Sequence, residues 1–189
     1  MKDGTLTCIR QFASYTTLDL KMQNNGKMGH DSRAGIIQPI PSVAAIDGHP
    51  LHPSVIPFPV AYFVTAALTD IAFQYTIDPF WARASLWLIG AGVVTAFLAG
   101  LLGMIDFICR AQIRKMGSAW FHGLGNSTIL ILEIINWSLR FDEDGAVDGM
   151  VVTGNEMILS IVCAIGVLVT AWVGGEMTFK KRVGASPTP

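Results

Sequence analysis

Four long apolar segments, separated by polar stretches, follow one another from residue 55 onward. They cover residues 55–75, 86–108, 120–139 and 157–173. An α-helix needs about 20 mostly apolar residues to cross the hydrocarbon core of a bilayer. The pattern therefore predicts an all-α integral membrane protein, built as a four-helix bundle with four spans.

Polar residues flank this apolar region at both ends of the chain. Residues 1–46 lack sustained periodicity and predict a polar N-terminal tail, residues 47–184 make up the four-span membrane domain, and residues 185–189 form a C-terminal tail. The chain is 51% hydrophobic and only 14% charged, whereas soluble domains carry about 25% charged residues. The net charge of −1 gives no indication of nucleic-acid binding.

Basic residues near the spans are distributed unevenly between the two sides of the predicted bundle. Those on the side of both termini are Arg33, Arg110, Arg114, Lys115, Lys180, Lys181 and Arg182, and those on the other side are Arg83 and Arg140. Lys and Arg collect in the cytoplasmic loops of membrane proteins. We therefore expect both termini in the cytoplasm.

The stretch Asp47–Pro59 places two histidines between prolines just before the first span. Pro50 and Pro53 fix φ and bias the residue before each of them toward extended conformations. We therefore expect His49 and His52 on an ordered, non-helical approach to the membrane. The alternative is an interfacial turn whose imidazoles have no special role.

The third span carries a polar stripe along most of its length. At 100° per residue, one face of the helix presents His122, Asn126, Ile129, Glu133 and Asn136. Such residues are costly against lipid, so the stripe should face the bundle interior. Asp70 in the first span is predicted to lie at a similar depth to Glu133, where the two share a proton or are bridged by water. The alternative is that each side chain snorkels toward the interface or makes a hydrogen bond between helices.

Small residues predict where the helix backbones approach each other closely, without implying chemistry. The second span presents Gly92, Ala96, Ala99, Gly103 and Asp106 on one line, and the fourth presents Ser160, Ala164, Val167, Ala171 and Gly174. We expect the fourth helix to end at Gly174 and Gly175.

Several chemistry-bearing residues should gather near the cytoplasmic ends of the helices: His49, His52, Asp106, His122 and Glu176. His122 is expected in the first turn of its span. The candidate metal ligands are His49, His52, Asp106 and His122, and the candidate ligands of a haem b are His49, His52 and His122. Residues with a proton-relay or structural role are Asp70, Asn126, Glu133 and Glu176. Alternatively, Asp106 pairs with Arg110 and Glu176 with Lys180, and the cluster is structural polar packing.

These motifs resemble a bacterial membrane family, domain of unknown function 2231. The matching residues are Gly48 to Pro59, Asp70, Gly100 to Asp106, His122-Gly123 and Gly174 to Glu176, and the similarity runs from about Asp47 to Gly184. The resemblance implies a multi-pass protein of the bacterial inner membrane without an established activity. Relatives fused to c-type cytochrome or Rieske-like modules imply electron transfer. This chain has no Cys-x-x-Cys-His motif, so a redox partner would be a separate subunit.

Two functional interpretations remain open. The first is a non-catalytic accessory or structural subunit of a larger inner-membrane complex, such as an electron-transfer complex. The absence of a nucleophile–base constellation and the short loops favour it. The second is a small redox or proton-relay membrane protein that binds haem b or a metal through His49, His52 and His122. Both imply contact with the lipid bilayer, and the first also implies partner subunits.

Overall fold

A computed structural model describes residues 38–141 and 151–185. All of these residues except Gln38 belong to the compact unit Pro39–Pro189. Most of the predicted N-terminal tail and nearly all of the predicted C-terminal tail lie outside the described residues.

A tight β-hairpin leads into the first long helix. Strand β1 (Ala45–Ile46) pairs antiparallel with β2 (His49–Pro50). The two turn residues between the strands have positive φ, 48° at Asp47 and 78° at Gly48, as two-residue hairpin loops require.

Two consecutive helices follow the hairpin, α1 (Leu51–Val55) and α2 (Pro57–Thr76). His52 is therefore helical, and the expected extended conformation at this residue is wrong. Pro53 biases the residue before it without preventing a helical turn, and helix α1 begins directly after the hairpin. Pro57 occupies the first position of α2, where a missing N–H costs nothing.

Four further helices complete the described chain. Helix α3 (Pro79–Cys109) is capped by Asp78, whose side chain accepts a hydrogen bond from the backbone N–H of Phe80 at 2.9 Å. The short helix α4 (Ala111–Arg114) leads into α5 (Gly117–Ser138). Helix α6 (Gly154–Phe179) begins with a capping box formed by Thr153 and Glu156.

The described chain is mostly helical, and three of its helices are long and apolar enough to cross a membrane: Leu51–Thr76, Pro79–Cys109 and Gly154–Phe179. The predicted third span corresponds to α5, which has 22 residues and carries the polar stripe. The expected end of the fourth helix at Gly174 and Gly175 is wrong, because α6 continues through both glycines to Phe179. Each glycine costs a helix only about 1 kcal/mol, which packing against a neighbour can offset.

The small residues allow close contacts between helices. Helix α2 packs on α3 and α6, and α5 packs on α6 and α3. A Cβ at Gly92 of α3 would lie 2.4 Å from the ring of Phe63, so only glycine admits that ring. Phe63 joins Ile129, Cys163 and Val167 in a buried apolar cluster.

The outer surface of these helices is apolar. Exposed side chains include Trp87, Val94, Phe97, Leu101, Ile131, Ile158, Val162, Ile165, Leu168 and Trp172. Soluble proteins rarely expose continuous apolar surface on this scale. The surface is that of a protein embedded in lipid.

Candidate functional site

His52 is held against helix α3 by one hydrogen bond and one glycine. Its Nδ1 lies 2.7 Å from the carbonyl oxygen of Ala99. A carbonyl oxygen only accepts, so the ring is protonated at Nδ1. The ring also packs on Gly103, where a Cβ would lie 2.9 Å from its Cε1 atom. This arrangement fixes both the tautomer and the direction of the ring.

His122 is held against helix α6 in the same manner. Its Nδ1 lies 2.8 Å from the carbonyl oxygen of Thr170, and a Cβ at Gly174 would lie 2.8 Å from its Cε1. The Asn126 side chain adds support, because its Nδ2 donates to the carbonyl of His122 at 2.7 Å and its Oδ1 accepts from Thr170 Oγ1 at 3.0 Å. Helix α5 begins at Gly117, so His122 lies in its second turn and the expected first-turn position is wrong.

The two rings approach each other without the close contact of a stacked pair. The centroids of His52 and His122 are 6.1 Å apart and the ring planes are nearly perpendicular, at 89°. The other edge-to-face pairs in the described chain have centroids 5.0, 5.0 and 5.4 Å apart. With both Nδ1 atoms donating to carbonyls, each Nε2 carries a free lone pair, and neither Nε2 has a hydrogen-bond partner among the described residues.

Both histidines line a largely apolar cavity of about 270 Å³. Its walls include Phe63, Phe107, Ile129, Leu130 and Val167. The exposed residues Gly100, Met104 and Leu124 also line it, so it opens between α3 and α5. A Cβ at Gly100 or at Gly123 would meet nothing within 4 Å, which leaves space beside the imidazoles.

The other residues of the predicted cytoplasmic cluster are engaged elsewhere. His49 is exposed, and its Nδ1 lies 3.1 Å from the carbonyl oxygen of Asp47 in its own hairpin. Asp106 accepts hydrogen bonds from Ser42 Oγ and from the backbone N–H groups of residues 43 and 44, at 2.7, 2.6 and 3.2 Å. Glu176 forms a surface ion pair with Lys180, as the structural alternative expected.

The four predicted metal ligands, His49, His52, Asp106 and His122, are not all brought together. Within residues 38–141 and 151–185, no three His, Cys, Asp or Glu side chains are grouped so that they could hold a metal ion. Of the predicted ligands, the structure brings the rings of His52 and His122 close together, with centroids 6.1 Å apart. It leaves His49 in its own hairpin, and it uses Asp106 to hold the segment before the hairpin.

A second polar cluster lies at the opposite ends of the long helices. Arg140 donates from Nη1 and Nη2 to the two carboxylate oxygens of Asp70, at 3.0 and 2.7 Å, and both side chains are buried. Ser85 Oγ accepts from Arg140 at 3.0 Å, and Ser160 Oγ donates to Asp70 at 2.6 Å. The cluster therefore joins α2, α3 and α6 to Arg140, the second residue after α5.

Glu133 belongs to this cluster but has no cation of its own. Its Oε2 accepts from Asn136 Nδ2 at 3.1 Å, and Asn136 also donates to Ser160 at 2.8 Å. The side chain of Glu133 is 0% exposed, and its Oε1 has no hydrogen-bond partner among the described residues. The buried Cys163 thiol is its neighbour on α6. Asp70 and Glu133 thus lie in one network, linked through Asn136 and Ser160.

Two helical hairpins, one formed by α1 and α2 with α3 and the other by α5 with α6, repeat one arrangement. Each histidine bonds a carbonyl 47 or 48 residues later in the chain and rests on a glycine four residues beyond that carbonyl. The salt-bridged residues Asp70 and Arg140 are 70 residues apart, the same separation as His52 and His122. The histidine pair and the salt bridge therefore each join matching positions of the two hairpins.

Several partners in these clusters could not be assigned from the sequence. The charge pattern assigns Arg140 to the basic residues of the outer loop, yet its side chain is bound to Asp70 and the residue is 3% exposed. A signal was available, because Arg140 follows Asn136 by four residues and so continues the polar stripe. The carbonyls of Ala99 and Thr170 carry no side-chain signal, so their role depends on the fold.

Taken together, the apolar surface, the three helices that can cross a membrane and the polar interior define a helical membrane protein. The profile of the family described as "Predicted membrane protein (DUF2231)" matches residues 48–187, and the chain belongs to this family. Neither a curated protein nor a solved structure matches the chain. The family resemblance noted from the sequence is thereby confirmed.

Proposed function

We propose that this protein binds a b-type haem between His52 and His122 and transfers electrons within the bacterial inner membrane. The spacing of the two rings carries the proposal. With metal–nitrogen bonds of about 2 Å and about 1.1 Å from ring nitrogen to ring centre, two axial imidazoles have centroids about 6 Å apart. The observed separation is 6.1 Å.

The tautomers of the two histidines support the same ligand. A histidine that binds a metal usually donates its other ring N–H to a carbonyl or carboxylate, which orients the ring and raises its basicity. His52 and His122 both do so, through Ala99 and Thr170. When bound, the haem would supply a one-electron couple, while the protein supplies two oriented ligands and an apolar surrounding.

The cavity suits a flat, mostly apolar group. Its volume of about 270 Å³ is near the lower end of ligand pockets, about 300–1,000 Å³, so a macrocycle would extend through the opening between α3 and α5. Gly100 and Gly123 line this opening and present no side chain to block it.

The proposal includes a fourth span and a membrane orientation. Helix α5 has 22 residues, about 33 Å at 1.5 Å per residue, which is long enough to cross the hydrocarbon core. Glu133 and Asn136 are buried, whereas Leu124, Ile131 and Ile134 are exposed, so the lipid would meet apolar side chains. Four spans with the observed distribution of Lys and Arg favour cytoplasmic termini.

An accessory role within a larger complex is compatible with this site. A protein with a single haem needs a separate electron donor and acceptor, and the chain carries no Cys-x-x-Cys-His motif for a second haem. We therefore propose that it acts as a subunit beside a redox partner. Native gel electrophoresis of membranes extracted in a mild detergent tests this, since the chain should migrate in a complex much larger than itself.

The haem proposal is tested by the visible spectrum of the purified protein and three histidine variants. The wild-type protein and His49→Ala should show a Soret band and a haem b pyridine haemochrome, whereas His52→Ala and His122→Ala should lose the six-coordinate spectrum. His49→Ala is the matched control because its ring is exposed. A colourless wild-type protein, purified from cells with sufficient haem, would contradict the proposal.

A second pair of variants tests the cavity without changing a ligand. Gly100→Leu should exclude haem, because the new side chain would project into the open space beside the rings. Gly117→Leu is the control, since an added Cβ at Gly117 also meets nothing within 4 Å but this residue does not line the cavity. Equal haem content in the two variants would contradict the assigned position.

A further inference from the structure

The second polar cluster contains more negative than positive groups. It holds the carboxyl groups of Asp70 and Glu133 but a single guanidinium, that of Arg140, among the described residues. Arginine stays protonated in proteins. The two terminal nitrogens of Arg140 donate hydrogen bonds to the two carboxylate oxygens of Asp70. The one cation is therefore committed to Asp70.

The groups that face Glu133 from the neighbouring helices do not replace a cation. On its own helix, Asn136 donates one hydrogen bond to Oε2. Helix α6 contributes Cys163 and Ser160, and Ser160 directs its hydroxyl proton to Asp70. From α2 the carboxylate of Asp70 repels a second anion, and the guanidinium of Arg140, which is bonded to Asp70, attracts Glu133 without donating a hydrogen bond to it.

We propose that the carboxyl group of Glu133 is a proton-binding site inside the membrane domain and that Asp70 remains the carboxylate of the pair with Arg140. An ionised, fully buried carboxylate without a cation is strongly disfavoured. Taking up one proton makes Glu133 neutral and converts an oxygen that lacks a partner into an O–H group. The cluster then holds one carboxylate and one guanidinium, so its charges balance.

The proposed proton-binding site at Glu133 is separate from the paired histidines. It lies 11 residues after His122 on the same helix, about 16 Å along the axis at 1.5 Å per residue, so it is separate from the paired histidines. The new O–H group would point toward Cys163, a weak acceptor. The inference does not rest on the haem proposal, because no atom of the histidine pair takes part in it.

Infrared difference spectroscopy in lipid nanodiscs tests the inference directly. At neutral pH, the wild-type protein should show a protonated-carboxyl C=O band that shifts when H2O is replaced by D2O. Glu133→Gln should lose this band, and Glu176→Gln should keep it, because Glu176 is a surface residue paired with Lys180. If Glu133→Gln instead loses a carboxylate band and leaves the carboxyl region unchanged, the proposal is wrong.

Two further measurements cover a Glu133→Gln variant that does not fold and separate this proposal from the haem proposal. If Glu133→Gln does not fold, the wild-type spectrum alone decides, since the absence of any D2O-sensitive carboxyl band at neutral pH overturns the proposal. The visible spectrum of Glu133→Gln should match that of the wild-type protein. A colourless wild-type protein that still shows the carboxyl band would remove the haem proposal and keep this one.

Discussion

Single glycines decide whether the two imidazoles can reach their carbonyl partners. At Gly103 an added Cβ would lie 2.9 Å from His52 Cε1 and 3.0 Å from its Nδ1. We expect Gly103→Ala to displace the ring and lengthen the bond to Ala99, at a cost of about 1–3 kcal/mol in stability. Thermal unfolding of the protein in detergent measures this.

The matched control is one turn away on the same helix. At Gly100 an added Cβ meets nothing within 4 Å, so Gly100→Ala should be neutral or should stabilise α3 by up to about 1 kcal/mol through helix propensity. A loss of stability in Gly100→Ala as large as that in Gly103→Ala would mean that helix flexibility, rather than the contact with His52, is what these glycines provide.

At the same scale, the sequence points to individual polar residues in the apolar segments more readily than to their partners. His52, His122, Asp70 and Glu133 were recognisable because polar groups in apolar segments stand out. Their partners are mainly backbone carbonyls and hydroxyls, which every helix carries. Which carbonyl meets which imidazole depends on the rotation and offset of neighbouring helices, and a single sequence does not specify these.

At the scale of the helices, the buried salt bridge joins α2 to the end of α5, and serines of α3 and α6 complete it. We expect Asp70→Asn to cost about 3–5 kcal/mol, because it leaves the buried guanidinium of Arg140 without a counter-charge. Melting temperatures of the purified variants measure the effect.

The control for this variant applies the same chemical change at an exposed position. Asp78 caps the N-terminus of α3, and asparagine caps helices about as well as aspartate does. Asp78→Asn should therefore change stability by less than about 0.5 kcal/mol. If the two substitutions have similar effects, the salt bridge contributes little beyond a surface pair.

The positions of the helices were predicted more accurately than their ends. All four apolar segments are helical, because length and composition determine this almost alone. The last one extends six residues beyond its predicted end at residue 173, through two glycines that a sequence pattern interprets as a terminus. Packing explains the glycine at position 174, since it makes room for the ring of His122.

For the whole molecule, four spans predict that the loop before α5 and the segment before α6 lie on opposite sides of the membrane. In intact cells, an impermeant maleimide should label a cysteine introduced at Val151, which is exposed, and should not label one at Lys115. The unmodified chain measures the background from native cysteines.

Two labelling results would contradict this arrangement in different ways. Labelling at Lys115 alone would reverse the orientation. Labelling at both positions, or at neither, in cells that remain intact would place the two segments on the same side and exclude α5 as a span.

The repeated hairpins have a consequence for how such a protein can be assembled. If two identical hairpins associated as separate copies, the positions now occupied by Asp70 and Arg140 would carry the same residue, and like charges would meet in the interior. When both hairpins belong to one chain, the two positions can carry different residues, so opposite charges can meet there. His52 and His122 are the same residue at matching positions, whereas the salt bridge requires different residues at positions 70 and 140.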